Sequence, residues 1–377
     1  MNLRRTRAVA RKEFRHILRD PRSLIMALAV PLLMLILFGY ALTLDVDRIP
    51  TLIYDLDRTP QSRALIDRFR GSRYFQIIGS VDDYGIIERH IDRDECLLAV
   101  VIPQDYAERL ASGQEAEVQV LLDGSDSNTA SIALGYVEAL VETYALELHL
   151  NALARQGGRR PVVPIRARLR VWFNSQLKSR NYIVPGLIAV ILMIIAALLT
   201  SLTIAREWEW GTMEQLLSTP LRPTELVLGK MVAFFTVGFV DMLIAVGTAV
   251  FVFHVPLRGH PLFLILTSCL FLVGALCWGI FLSALARSQL LAYQLGMLTS
   301  FLPAFLLSGF IYAIENMPVV IQLITYLVPA RYFIVIVKGV FLKGVGMEIV
   351  GWEVAWLVGF AGLVFWLASR RLKRTLE

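Results

Sequence analysis

The sequence predicts an α-helical polytopic membrane protein, six transmembrane helices plus an extracytoplasmic α/β domain inserted between helices one and two. Three observations predict it: an apolar composition, six separated apolar runs of spanning length, and one polar stretch long enough to fold around its own core. Of 377 residues, 56% are hydrophobic and only 18% charged, and the mean hydropathy is +0.61. Soluble domains do not reach such values.

Residues 1–22 carry Arg4, Arg5, Arg7, Arg11, Lys12, Arg15, Arg19 and Arg22, a basic, amphipathic segment ahead of the first span. The first span follows at 23–44. Its apolar run is too long for the core of a secretory signal, and GYALTLDVD offers no small-residue cleavage site, so it is expected to be an uncleaved span. Further runs at 182–205, 228–253, 261–286, 290–312 and 352–369 each approach the 20 or so residues a helix needs to cross the hydrocarbon core. Pro31 and Pro303 lie inside spans one and five and are expected to kink them or simply to pack. Residues 370–377 form a second basic segment. Positive charge at both ends puts both termini in the cytoplasm, which requires an even number of spans, and Arg206, Arg222, Lys230 and Arg287 fall on the same side.

The polar insertion at 45–181 is then extracytoplasmic. PTLIYDLD, YFQIIGSV, CLLAVVIP and EVQVLLDG read as strands, and SRALIDRFRG, QDYAERLASG and the long ASIALGYVEALVETYALELHLNALARQG as helices. GGRRPVVP reads as a loop and LRVWFNSQ as a last strand or interfacial stretch. A second irregular region, 313–351, is apolar but broken by Pro329, Arg331 and Lys338. As a seventh span it would put the basic C-terminus outside, so it reads as an outer re-entrant or interfacial hairpin, which is tolerated at depth where it is buried in protein or lines a cavity.

Between spans two and three lies AREWEWGTMEQLLSTPLRP, a short acid-rich segment within the loop 206–227. Gly211 breaks the preceding helix, and Thr212 with Gln215 fits a T-x-x-Q capping box for a new one. Met213, Leu216 and Leu217 then share a face, and Pro220 and Pro223 end it. A surface helix lying in lipid normally carries Lys or Arg on its polar face. Here Glu207, Glu209 and Glu214 surround it, and against an anionic leaflet they favour a protein partner.

REWEWGTMEQLLSTPLRPTELVLGK resembles the cytoplasmic loop of type-2 ABC transporter permeases, export subunits whose coupling helix docks on an ATPase. RKEFRHILRDP, DGSDSN and IPQDYAERL in the insertion, the ENMP turn and PARYF extend the resemblance over essentially the whole chain, towards the subgroup of multidrug efflux permeases with a large periplasmic domain. The resemblance implies a bacterial inner-membrane exporter and coupling through Glu207, Glu209, Gly211, Thr212, Met213, Glu214, Leu216 and Leu217. It also implies ATP and Mg bound on a separate ABC ATPase subunit, a second copy or a related permease, and a periplasmic adaptor as partners. Pro329, Arg331, Tyr332 and Lys338 become gate candidates.

Other chemistry lacks a signal. No G-x-x-x-x-G-K-[ST] occurs, since LGK at 228–230 lacks the first glycine and is followed by Met231, so no Walker site is expected on this chain. G-x-S-x-G is also missing, and no catalytic residue is assigned. No metal site is expected: the five histidines form no ligand spacing, HIDRDEC reads as a solvated strand edge, and DGSDSN has the composition but not the spacing of a calcium loop. Cys96, Cys269 and Cys277 give no disulfide framework. The net charge of +6 follows topology rather than an aromatic-laced basic patch, so nucleic acid is not an expected partner. Asp241, the one acid near the middle of a span, is a candidate for the substrate path, for proton coupling or for an interhelical pair. Two competing readings remain: an ion-coupled secondary transporter using Asp241, and a membrane scaffold or receptor acting through its outer domain.

Overall fold

The computed structural model describes residues 2–42, 47–155, 172–174 and 178–376. They form two compact units, Met1–Thr43 with Arg170–Glu377, and Leu44–Leu169. Helix α1 (Leu3–Arg19) is capped by Asn2, whose side chain accepts from the Arg4 backbone at 3.1 Å. Its apolar stripe of Val9 and Ile17 also carries Glu13, the one acid on the helix and a buried one. Helix α2 (Pro21–Ala41) runs through Pro31 without a break.

The second unit holds β1 (Ile49–Asp55), α3 (Pro60–Gly71), β2 (Phe75–Ser80), α4 (Tyr84–Asp92), β3 (Leu98–Ile102), α5 (Tyr106–Ser112), β4 (Gln119–Leu122) and α6 (Ser127–Arg155). The sheet order is β2-β1-β3-β4, with β1 parallel to both neighbours and β4 antiparallel to β3. All five residues of β3 are buried, as a central strand covered on both faces must be. HIDRDEC closes α4 and the turn after it rather than forming a strand edge: the Glu95 and Cys96 N–H groups both donate to the His90 carbonyl. Of the readings on 157–177, GGRRPVVP and most of LRVWFNSQ lie outside the described residues.

In the first unit α7 (Ser179–Glu209) is the axis, buried without interruption from Ile183 to Ala197. A short α8 (Thr212–Leu217) separates it from α9 (Pro223–Phe251). Helix α10 (Pro261–Ala286) packs on α7 through Gly279, where an added Cβ would run into Thr200 and the Ala197 carbonyl. Such close backbone approach is how helices associate where lipid supplies no hydrophobic drive. The Thr200 hydroxyl crosses to the Leu276 carbonyl at 2.9 Å.

Span five is shorter than its apolar run. Helix α11 (Gln289–Gly296) passes through a π-helical turn at Met297–Phe301 into α12 (Leu302–Leu306) and stops. Pro303 has no N–H to donate to the turn before it, and the wider turn accommodates that gap. Helix α13 (Val319–Thr325) and the segment Pro329–Lys343, which begins with α14 (Pro329–Lys338), are bent by 78°. Helix α15 (Met347–Leu376) ends the unit. Six helices among the described residues are long and apolar enough to cross a membrane, seven if the bent pair counts as one.

Candidate functional site

The candidate site lies at the end of the first unit that carries α1 and α8. Gly211 sits at φ +69°, in the left-handed region that a side chain disfavours, and this reverses the chain between α7 and α8. The expected capping box does not form. Thr212 begins α8 itself, and its hydroxyl is drawn off by a stronger acceptor, the Glu207 carboxylate. At the next boundary Pro223 takes the first helical position of α9, and Glu225 accepts from the Arg222 N–H at 3.1 Å.

Met213 is 1% exposed and anchors α8 in a cluster of Ile204, Leu226, Val227, Ile280, Ala284 and Leu372, with Leu216 packed beside it. The Leu217 side chain lies outside the described residues. Trp210, Gly211, Glu214 and Gln215 are exposed on the outer side. A six-residue helix is too short to be stable by itself; the Met213 anchor holds it, leaving the acidic face free.

Glu207 takes no part in that face. It is buried, and Lys230, at 1% exposure, reaches it at 3.3 Å and Glu13 at 2.8 Å while also donating to the Thr203 carbonyl. Lys12 closes the ring on Glu207 at 2.6 Å. Removing such charges from water costs several kcal/mol each and is offset only when every partner is in place. Partial burial works against the charge on Lys12, yet the Glu207 carboxylate beside it holds the ammonium above its usual range. Glu13 lies on α1, Glu207 on α7 and Lys230 on α9, so the network binds three helices at one point. Further along, the Asn2 N–H donates to Glu225 at 2.6 Å and Arg5 reaches the Pro220 carbonyl.

Glu209 faces another neighbour. It accepts the Gln289 backbone N–H at 2.7 Å and the Gln289 side-chain amide, tying the α7–α8 turn to the first turn of α11. One turn before Glu207, the N–H groups of Ile204 and Ala205 both donate to Ser283 Oγ of α10 at 2.9 Å. A side chain inserted at the ladder is a usual place for a helix to bend.

The gate candidates are held in local contacts. Pro329 starts α14, Arg331 lies 4.0 Å from the Tyr326 ring centroid and donates to the Thr325 hydroxyl, and Tyr332 stacks on Trp356 at 4.1 Å. Lys338 places its ammonium 3.3 Å from the Tyr182 ring centroid on α7. Asp241 stands apart: it is 2% exposed, and neither carboxylate oxygen has a hydrogen-bond partner among the described residues. Sequence reading missed Glu13 and Ser283 as site residues and took Lys12 and Lys230 only as topology charges. Glu13 gave one signal, a lone acid on the apolar stripe of a basic helix.

Residues 21–370 match the family model for ABC-2 family transporter proteins. The chain belongs to that family. It is 36% identical to the probable multidrug ABC transporter permease YbhS of Escherichia coli K12 over all of this chain and 99% of that one. It is 33% identical to the probable multidrug ABC transporter permease YbhR of the same organism, over 92% of each. A more distant relative, ABC transporter G family member 20 of Dictyostelium discoideum, shares 22% identity over 95% of this chain but only 49% of its own length. This ABC-2 permease is therefore the membrane subunit of an ABC-type exporter, a multi-pass protein.

Proposed function

We propose that this permease moves a small, drug-like molecule outward across a bacterial inner membrane. In this reading ATP and Mg are bound and hydrolysed on a separate ATPase that grips α8 from the cytoplasm. Both termini then face the cytoplasm, the α/β unit lies outside where it meets an adaptor protein, and a second copy or a related permease completes the path. The carrying observation is α8: Met213 is sunk into the bundle while Trp210, Glu214 and Gln215 point away from it. A push on α8 reaches α7, α9 and α10 through the Met213 cluster, α1 through Glu207, and α11 through Glu209. The names of the two bacterial relatives favour a multidrug substrate.

The test is recovery of the ATPase with C-terminally tagged permease in mild detergent. Wild type is expected to bring down an ABC ATPase, and Glu214→Arg, at an exposed position with no packing role, to lose it. Wild type that brings down none overturns the reading. The Asp241 carboxylate, with no hydrogen-bond partner among the described residues, favours one second reading, an ion-coupled transporter. That reading requires Asp241→Asn to abolish transport while ATPase stimulation persists.

A further inference from the structure

Beside the ion network a cavity of about 400 Å³ opens between α1, α2, α7 and α9. Its walls change character along α7. Leu198, Leu199 and Leu202, with Ala27 of α2 and Phe234 of α9, make one end apolar, and Arg206, Glu207 and Lys230, with Lys12, Glu13 and His16 of α1, make the other charged. From Leu198 to Arg206 is eight residues of helix, about 12 Å of rise. The space therefore has the size of a small-ligand pocket and the polarity of an amphipathic molecule.

The charged end sums to zero, Lys12, Arg206 and Lys230 against Glu13, Asp20 and Glu207, but its charges are not evenly paired. Glu13 and Glu207 are matched by Lys12 and Lys230 within the network. Asp20, on the same wall, is engaged in an interaction of its own. Arg206 has no carboxylate within ion-pair distance among the described residues. It contacts His16 Nε2 at 3.3 Å and lies 5.6 Å from the Trp210 ring centroid. Arginine has only donors, so in that contact His16 Nε2 can only be the acceptor. Among the described residues, Arg206 is the one lysine or arginine on this wall with no ion-pair partner.

We infer that this cavity binds an amphipathic anion, its apolar body lying along α7 between α2 and α9 and its carboxylate or phosphate paired with Arg206. As a loading site for transport it rests on the exporter reading; as a binding site it does not. The head group has two sources, a free amphiphile such as a fatty acid or an acidic phospholipid of the surrounding leaflet, and both present the same chemistry to Arg206.

The experiment reads binding alone, on the full-length permease in phosphatidylcholine nanodiscs. Three diazirine probes are compared: a palmitic acid, a phosphatidylglycerol and a hexadecyltrimethylammonium, with labelled peptides mapped by mass spectrometry. The acid, the phospholipid or both are expected to label residues 24–27 and 198–202. Labelling by palmitate alone identifies a free amphiphile, and labelling by phosphatidylglycerol a lipid. Arg206→Gln is expected to weaken labelling about tenfold, the scale of one charge-assisted bond, and Arg206→Lys to retain most of it. Leu199→Trp, which fills the apolar end and leaves the charges alone, is expected to exclude both probes. Equal or stronger labelling by the cationic probe, labelling only outside those peptides, or labelling indifferent to Arg206→Gln and Leu199→Trp overturns the proposal.

Discussion

Lys230 and Asp241 lie on the same helix, eleven residues and about 16 Å of rise apart, at 1% and 2% exposure. The ammonium has two carboxylates at 2.8 and 3.3 Å and a backbone carbonyl at 3.3 Å. The carboxylate has no hydrogen-bond partner among the described residues. Burial is equal and compensation is opposite, so exposure alone says little about what a buried charge does in this bundle. A closed network such as that around Lys230 fixes which helices meet and in what register. An orphan such as Asp241 is a cost the fold retains for another reason, and membrane acids of this kind mark paths or assembly contacts. The comparison therefore points to positioning for the first site, while the second makes no positioning contact among the described residues.

The largest effect that sharpens this contrast comes from Lys230→Met. It strands Glu13 and Glu207 as buried, partly matched acids and is expected to cost about 3–5 kcal/mol, seen as a lowered unfolding temperature in detergent. The triple variant Glu13→Gln, Glu207→Gln, Lys230→Met is expected to recover most of that loss, because the one charge it leaves, on Lys12, is half-exposed and solvated by water. A single variant as stable as wild type breaks the idea of a closed network. Met213→Ala comes next: it empties a buried site under α8 at roughly 2 kcal/mol, the low end for such truncations because a short helix can settle into the gap. Recovery of the ATPase is expected to fall with it.

Asp241→Asn carries the opposite sign. An amide fills nearly the same volume without the desolvated charge, so the variant is expected to gain on the order of 1 kcal/mol and to keep transport. Loss of stability breaks the comparison, since it reveals a partner for Asp241 that the isolated chain does not supply. Loss of transport with ATPase stimulation intact moves Asp241 to the centre of the mechanism.

What the sequence made legible was set by range. Spans and strands announce themselves within about twenty residues, through apolar runs, alternation and Gly or Pro punctuation, and α8 was readable from Gly211, Met213 and Pro220 alone. Helix α4 was missed because YGIIERHID is short and charged at its end, so its helical period competes with a strand reading. The Thr212 capping box failed for a related reason: the local rule holds only until a better acceptor arrives, and Glu207 arrives from the turn before. The ion network was out of reach. Glu13 and Lys230 are 217 positions apart, and only the packing of α1 on α9, with Val9 against Gly229, brings them together.

Glu209 offers the smallest and most discriminating perturbation. Unlike Glu207 it is exposed, and its two bonds reach one residue, Gln289, at the start of α11. A carboxylate on a first-turn N–H also complements the helix dipole, so Glu209→Ala is expected to cost only about 0.5–1 kcal/mol, and Gln289→Ala, which spares the backbone bond, less still. Stability is thus nearly blind to this contact. Coupling is expected to be more sensitive, because the contact joins the turn before α8 to the span that carries the π turn and Pro303. ATP-driven transport measured beside ATPase rate is expected to fall in Glu209→Ala while hydrolysis continues, with Gln289→Ala intermediate. Should Glu209→Ala instead unfold the protein as Lys230→Met does, the two glutamates of REWEW are doing the same job, and the division between a buried clamp and an exposed link fails.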